Sequence, residues 1–86
     1  MNSIVELYGK ATCGYCLRAK ALLKRRGIAF SEVDVEKDVC GMDHLLARKP
    51  DAKTVPQIFI DGRSIGGYDD LKALDEAGGL QTLRAA

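Results

Sequence analysis

The feature that most restricts the fold is a pair of cysteines placed where an apolar strand gives way to a helix. Residues 3–8 are mainly β-branched or aromatic and predict a buried strand, and a short loop over 9–12 follows. From Cys16 to Leu23 the apolar residues recur at three- and four-residue spacing, which is typical of a helix with one buried face. Cys13 and Cys16 therefore open a helix directly behind a strand.

The rest of the chain continues this alternation of strand and helix. A crossover helix makes the first two strands parallel, and the Asp61-Gly62 turn signal makes the last two antiparallel. We therefore expect an α/β chain with the order β-α-β-α-β-β-α, in which three helices flank a four-stranded mixed sheet. This is the thioredoxin-like fold, predicted as a single domain over residues 1–86. The further predicted elements are strands over 28–35, 55–60 and 63–66, a helix over 38–48 that Pro50 ends, and a helix that opens at 67–70 and ends at Gly78-Gly79.

The charge and cysteine content narrow the class of protein. The 13 basic residues nearly balance the 12 acidic ones, which argues against a nucleic-acid or membrane-surface protein. No apolar run is long enough to span a bilayer, and strand-like residues begin close to Met1, so no signal peptide is expected. Three cysteines are too few for a secreted disulfide scaffold. We expect a redox-active cytoplasmic protein.

The position of the two cysteines predicts different roles for them. A thiol at a helix N-terminus faces unpaired backbone N–H groups and the positive end of the helix dipole, which lower its pKa. Cys13 is therefore the expected nucleophile, and Lys10 adds positive charge nearby. Cys16 lies one turn further on the same side, within disulfide reach, and is suited to resolving a mixed disulfide.

A zinc site is the alternative interpretation of the cysteine pair. Cys13, Cys16, Cys40 and His44 would make a formally acceptable ligand set. Zinc knuckles, however, present C-x-x-C in a tight turn, whereas this pair opens a helix behind a strand. The context therefore favours redox chemistry.

Two further segments are ambiguous when each is considered alone. Pro56 would be an ordinary strand-entry proline, although a cis Val55–Pro56 bond would turn the Val55 backbone toward an extended partner. Residues 66–70 (Gly-Gly-Tyr-Asp-Asp) fit a plain capped helix start, although a helix N-terminus can also bind a carboxylate.

Taken together, these motifs resemble the dithiol glutaredoxins of bacterial type. The resemblance rests on Cys13-Gly14-Tyr15-Cys16, on the Thr-Val-Pro-Gln-Ile-Phe-Ile run over 54–60 and on the Gly-Gly-Tyr-Asp-Asp-Leu run over 66–71. It extends from Ile4 to about Leu80, with the three motifs in the family's order and spacing.

The resemblance implies a glutathione-dependent thiol–disulfide oxidoreductase that reduces protein disulfides and glutathione mixed disulfides. The Cys13 thiolate would attack, with Cys16 as the resolving thiol and glutathione as cosubstrate. Disulfide-bearing or glutathionylated proteins are the implied partners, and the chain is expected to be a monomer. The implied glutathione-binding residues are Lys10, Cys13, Tyr15, Thr54, Val55, a cis Pro56, Gly67, Tyr68 and Asp69.

Departures from the commonest family pattern leave three questions open. Gly14 stands where proline is usual, which leaves room for a glutathione-ligated [2Fe–2S] cluster that bridges two chains through Cys13. Such a chain would be a cluster carrier and a dimer. A redoxin recharged by thioredoxin reductase is a further alternative, against which Lys10 and the Gly-Gly-Tyr-Asp-Asp run count. Either Arg48 or Lys53 is expected to contact a glutathione carboxylate.

Overall fold

A computed structural model describes residues 3–83, with the side chain of Thr82 outside the description. Strands and helices alternate through this part of the chain in the predicted order. The elements are β1 (Val5–Gly9), α1 (Gly14–Arg25), β2 (Ser31–Asp34), α2 (Gly41–Arg48), β3 (Gln57–Ile60), β4 (Arg63–Gly66), α3 (Tyr68–Glu76) and a final 3₁₀ helix, Gln81–Leu83.

The strands form one mixed sheet in the order β2-β1-β3-β4. β1 pairs with β2 in parallel and with β3 antiparallel, and β3 pairs with β4 antiparallel. β1 is one of the two inner strands, and its carboxyl end leads through a short loop to the helix that begins at the cysteine pair. The predicted four-stranded mixed sheet of thioredoxin-like topology is confirmed.

Apolar side chains cover both faces of the sheet. Burying a leucine or isoleucine side chain contributes about 1.5–3 kcal/mol, so these clusters supply most of the favourable free energy of folding. On one face the sheet packs against α1 and α3, and the buried cluster there is Val5, Leu7, Ala19, Leu22, Leu23, Ile28, Ile58, Leu71 and Leu80. On the other face it packs against α2, and the cluster is Tyr8, Val35, Leu45 and Phe59.

The ends of α1 follow its sequence signals. Cys13 is the N-cap, so the helix itself begins at Gly14. Lys24 and Arg25 occupy the last turn, where the helix dipole favours cations. Gly27 follows with a φ of 72°, a left-handed conformation that glycine adopts without steric cost.

The predicted start of the second helix was wrong. α2 begins at Gly41 rather than Asp38, and Val39, placed on its apolar stripe from the sequence, is 95% exposed. The Asp34 carboxylate accepts hydrogen bonds from the Glu36 and Lys37 N–H groups. Such local side-chain to backbone bonds stabilise turns in competition with the helix.

The strands β2 and β3 are shorter than predicted. Ile28 lies beyond the end of α1 but is still hydrogen-bonded to it, because its N–H donates to the Leu23 carbonyl at 2.9 Å. β2 therefore begins at Ser31. Thr54 and Val55 form a bend ahead of β3, which begins at Gln57 after Pro56. Residues 1–2 and 84–86 lie outside the described residues, so the single domain over 1–86 stays a prediction.

Candidate active site

The Cys13 thiol lies over the N-terminus of α1. Its backbone is extended, and its Sγ accepts a hydrogen bond from the Cys16 N–H at 3.3 Å. The Cys13 carbonyl accepts from the Leu17 N–H at 3.1 Å and so begins the helical ladder. Cys13 is half-buried, so the residue is accessible from outside the protein.

The surroundings of Cys13 lower its pKa. Partial burial acts to raise the pKa, but hydrogen bonds from the Cys16 side chain and from the backbone of Cys16 and Tyr15 outweigh it. The positive charge of Lys10 adds to the lowering. The sum favours the thiolate, which is the reactive form of cysteine.

Cys16 differs from Cys13 in both burial and the direction of its pKa shift. It is fully buried, and burial together with the Cys13 sulfur raises its pKa to about 11. Gly9, at the end of β1, makes room for it, because a Cβ at that position would lie 3.0 Å from the Cys16 Sγ. The site therefore contains one accessible thiol with a lowered pKa and one buried thiol that stays protonated at neutral pH.

The bend before β3 faces the Cys13 sulfur. The Cys13 thiol donates to the Val55 carbonyl at 3.7 Å, and the Val55–Pro56 peptide bond is cis. The interpretation of Pro56 as an ordinary strand-entry proline was therefore wrong, and the cis bond implied by the resemblance is present. Gln57 is buried, and its side-chain amide donates to the Thr54 carbonyl at 2.9 Å.

A groove of about 390 Å³ runs beside this bend. Gly67 caps α3 at one side of it, where the Asp70 carboxylate accepts from the Gly67 N–H at 3.1 Å. The Tyr15 and Tyr68 rings lie 6.1 Å apart between centroids. Of the residues implied by the resemblance, the groove wall includes Tyr15, Thr54, Val55, Pro56, Gly67, Tyr68 and Asp69, together with Asp70.

Lys10 lies on the other side of the Thr54–Val55 segment. There it lines a smaller pocket of about 100 Å³ with Lys53. Arg48 is elsewhere: it donates to Glu6 at 2.9 Å and its guanidinium lies 4.1 Å from the Phe59 ring centroid. Of the two cations that the sequence suggested for a contact with a glutathione carboxylate, Lys53 lines this pocket and Arg48 does not.

Two residues near the site, Gly9 and Gln57, were not recognised from the sequence. Gly9 was placed in the loop after the first strand and is instead the last residue of β1, and Gln57 was placed in a strand with no further role. Neither the close approach of Cys16 to Gly9 nor the side-chain bond from Gln57 to Thr54 has a local sequence signal. Asp70 belongs to the capped helix start that the sequence predicted, since an acidic residue three positions after the cap residue is a recognised capping pattern.

The alternative zinc set is not assembled. Cys40 is exposed at the N-cap of α2, and His44 is an exposed residue of that helix. Within residues 3–83, no group of three or more His, Cys, Asp or Glu side chains is arranged to hold a metal ion. In the same residues, none of the helices is long and apolar enough to cross a bilayer.

Known proteins that are similar to this chain in sequence and in structure are glutaredoxins. A sequence model of the glutaredoxin family matches residues 5–65. Glutaredoxin 3 of Escherichia coli K12 is 49% identical over 79 residues, which cover 92% of this chain and 94% of that protein. The crystal structure of a buckwheat glutaredoxin–glutathione complex superposes with a TM-score of 0.81 at 29% identity, covering 92% of this chain and 74% of that one. The solution structure of a Brucella melitensis glutaredoxin gives 0.73 at 40% identity, covering 96% and 87%.

The thioredoxin-like fold and the two unlike thiols at the start of α1 define an enzyme, a thiol–disulfide oxidoreductase. Within that class, the extent of the matches settles the family. The chain belongs to the glutaredoxins, as its motifs predicted.

Proposed function

We propose that the chain is a glutathione-dependent reductase of glutathione mixed disulfides and protein disulfides. The observation that carries the proposal is the contrast between its two thiols at the edge of one groove. Cys13 is half-exposed with a lowered pKa, whereas burial raises the pKa of Cys16 to about 11. The first suits a nucleophile and the second a thiol that reacts only with an adjacent disulfide.

The first step is attack by the Cys13 thiolate on the glutathione sulfur of a mixed disulfide. The new bond joins Cys13 to glutathione, and the substrate thiolate leaves and takes up a proton. A free glutathione thiolate then attacks the adduct, releases oxidised glutathione and regenerates the Cys13 thiolate. Each step exchanges one disulfide for another, and the net reaction converts the mixed disulfide and one free glutathione into the substrate thiol and oxidised glutathione.

A second branch uses both cysteines. Cys13 attacks a protein disulfide and forms a mixed disulfide with one of its sulfurs. The neighbouring Cys16 thiol then loses its proton and displaces the substrate, which closes a Cys13–Cys16 bridge that two glutathiones reduce. The hydrogen bond from the Cys16 N–H to the Cys13 Sγ, 3.3 Å long, supports this assignment, because it holds the two residues in contact.

The shape of the site supports glutathione as the cosubstrate. In this proposal the Thr54 and Val55 backbone pairs with the glutathione cysteine, whose sulfur meets Cys13. The cations of the smaller pocket, Lys10 and Lys53, receive the glycine carboxylate. The γ-glutamyl end lies toward the N-terminus of α3, near Gly67, Tyr68 and Asp69, in the groove that Tyr15 and Pro56 also line. The buckwheat glutaredoxin, which was crystallised as a complex with glutathione, adds support from a relative.

The decisive experiment is turnover of a small glutathione mixed disulfide coupled to glutathione reductase and NADPH. We expect turnover by the wild-type chain and by Cys16→Ser, and none by Cys13→Ser. Turnover with thioredoxin reductase but not with glutathione would select the alternative redoxin. A visible-light absorbance band after anaerobic purification, lost in Cys13→Ser, would select the [2Fe–2S] carrier, in which Cys13 is the ligand and the chain is a dimer.

The proposed activity needs a reducing compartment. Free thiols persist where glutathione keeps them reduced, so the cytoplasm is the proposed location. We propose a monomer that meets its protein substrates transiently.

A further inference from the structure

The exposed surface of α1 next to Cys13 is unusually apolar. Leu17 lies one helical turn after Cys13, on the same side of the helix, and is 53% exposed. Tyr15 is 56% exposed, and the two are among the few large apolar side chains that residues 3–83 leave open to solvent. The nucleophile is thus bordered by side chains that a partner could bury.

A cation completes this surface. The Arg18 guanidinium lies 5.3 Å from the centroid of the Tyr15 ring, a distance at which the cation and the ring attract each other. No acidic side chain in the described part of the chain forms an ion pair with Arg18, whereas Lys20 on the same helix is paired with Glu32 at 2.6 Å. The charge of Arg18 is therefore available to a partner.

The charges around the site are also separated. α1 contains no acidic residue, whereas the first turn of α3 carries Asp69 and Asp70. The groove between them is the proposed glutathione site, so the remainder of a bulky substrate has to pass over its edge. Tyr15 lines the groove at its α1 edge, and Arg18 lies against the Tyr15 ring. We name these two residues and the exposed Leu17 the α1 docking surface.

We propose that the α1 docking surface binds a polypeptide segment in which acidic and apolar residues flank the disulfide cysteine. Leu17 and the Tyr15 ring bury apolar side chains of that segment, and Arg18 pairs with its carboxylate. The inference rests on the proposed function, and it adds the class of protein substrate. The reaction is unchanged: Cys13 takes the glutathione sulfur, and the docked segment leaves as a thiol.

The test compares two short peptides that carry the same glutathionylated cysteine and a neighbouring leucine. One has glutamate on both sides of this pair and the other has lysine at those positions. For the wild-type chain we expect kcat/KM to favour the acidic peptide by about 10-fold at low ionic strength, with the preference fading as salt screens the charges. Each value is normalised to the turnover of a small glutathione mixed disulfide measured with the same protein.

Two neutralising variants separate this surface from the general charge of the helix. Arg18→Gln is expected to reduce the preference for the acidic peptide by about 3-fold or more. Lys24→Gln is the matched control, since Lys24 is an exposed cation of the same helix, about 9 Å further along its axis. It should leave the preference unchanged.

The possible failures can be told apart. Equal kcat/KM for the two peptides, or equal losses in Arg18→Gln and Lys24→Gln, with the small disulfide still turned over, would overturn the docking surface alone. Loss of turnover of the small mixed disulfide by the wild-type chain would overturn the proposed function, and this inference with it.

Discussion

At the scale of single residues, the chemistry depends on making two neighbouring thiols unlike. Cys13 gains hydrogen-bond donors and a nearby cation, and Cys16 loses contact with water. Both effects come from position, because one residue caps α1 and the other lies on its buried face. The sequence predicted this contrast correctly, since the N-terminus of a helix and its apolar face can both be recognised from residue spacing.

The first prediction concerns the pKa of Cys13. In a Cys40→Ser background, the pH dependence of alkylation by iodoacetamide should have its midpoint below the ordinary cysteine value of about 8.5. Replacing Cys16 by Ala removes a hydrogen bond to the thiolate, so the midpoint should rise. Lys10→Gln should raise it less, because the charge of Lys10 is the weakest of the causes that lower the pKa. A midpoint that Cys16→Ala leaves unmoved would contradict this assignment.

The second prediction concerns Gln57, whose side-chain amide holds the Thr54 carbonyl at 2.9 Å. Gln57→Met keeps the volume but removes the donor, so KM for a glutathione mixed disulfide should rise by about 2- to 10-fold, the worth of one net hydrogen bond. kcat should change less, since Gln57 does not contact the Cys13 sulfur.

The Gln57→Glu variant distinguishes a hydrogen-bond donor at this position from a side chain that only fills space. A buried carboxyl group has a raised pKa, and only its protonated form can donate to the Thr54 carbonyl. The ratio of the KM of Gln57→Glu to the wild-type KM should therefore be near one at acidic pH and should increase as the pH rises. A ratio that stays constant with pH would show that Gln57 only fills space.

At the scale of elements, the junction of β4 with α3 shapes one wall of the groove. Gly66 has a φ of 106°, a conformation that residues with a Cβ rarely adopt. A Cβ there would also collide with the Asp70 carboxylate, which accepts from the Gly67 N–H and caps α3. The position therefore requires glycine for two independent reasons.

The third prediction follows from that junction. Gly66→Ala should lower the free energy of unfolding by about 1–3 kcal/mol, measured by urea denaturation. Gly14→Ala is the matched control, because a Cβ at Gly14 has no neighbour within 4 Å. It should be neutral or slightly stabilising, since alanine favours the helix over glycine. Equal losses in the two variants would contradict the proposed constraint at Gly66.

Element boundaries also mark the limit of what the sequence could predict. The order of strands and α-helices was predicted correctly, because apolar periodicity can be recognised even in short segments. The start of α2 was not, because Val39 matches helical spacing while the Asp34 carboxylate stabilises a turn just before it. The bend at Thr54 and Val55 was not predicted either, because the apolar residues that follow extend a strand-like pattern back to Val55.

At the scale of the whole molecule, the sheet is covered on both faces, and the site lies at the carboxyl end of the inner strand β1. Leu71 is fully buried between α3 and the sheet, in the larger of the two apolar clusters. The sequence predicted this arrangement of layers because the order of elements allows few topologies. The contacts across the groove join residues 15 and 68, which no local pattern connects.

The fourth prediction tests that layered core. Leu71→Ala should lower the free energy of unfolding by about 2–5 kcal/mol, the usual cost of a cavity in a packed interior. Leu17→Ala is the same change at a half-exposed position and should cost far less. Chemical denaturation followed by circular dichroism measures the free energy of unfolding of both variants. Comparable losses of that free energy would contradict the prediction that burial determines the effect of removing a leucine side chain.

The proposed function requires the Cys13 thiolate to attack the glutathione sulfur of the mixed disulfide. The most direct measurement is peptide-mapping mass spectrometry of Cys16→Ser after reaction with a glutathionylated peptide, because this variant cannot resolve its mixed disulfide. We expect glutathione on Cys13 and the peptide released as a free thiol. The peptide itself on Cys13, or glutathione on Cys40 with Cys13 unmodified, would contradict it.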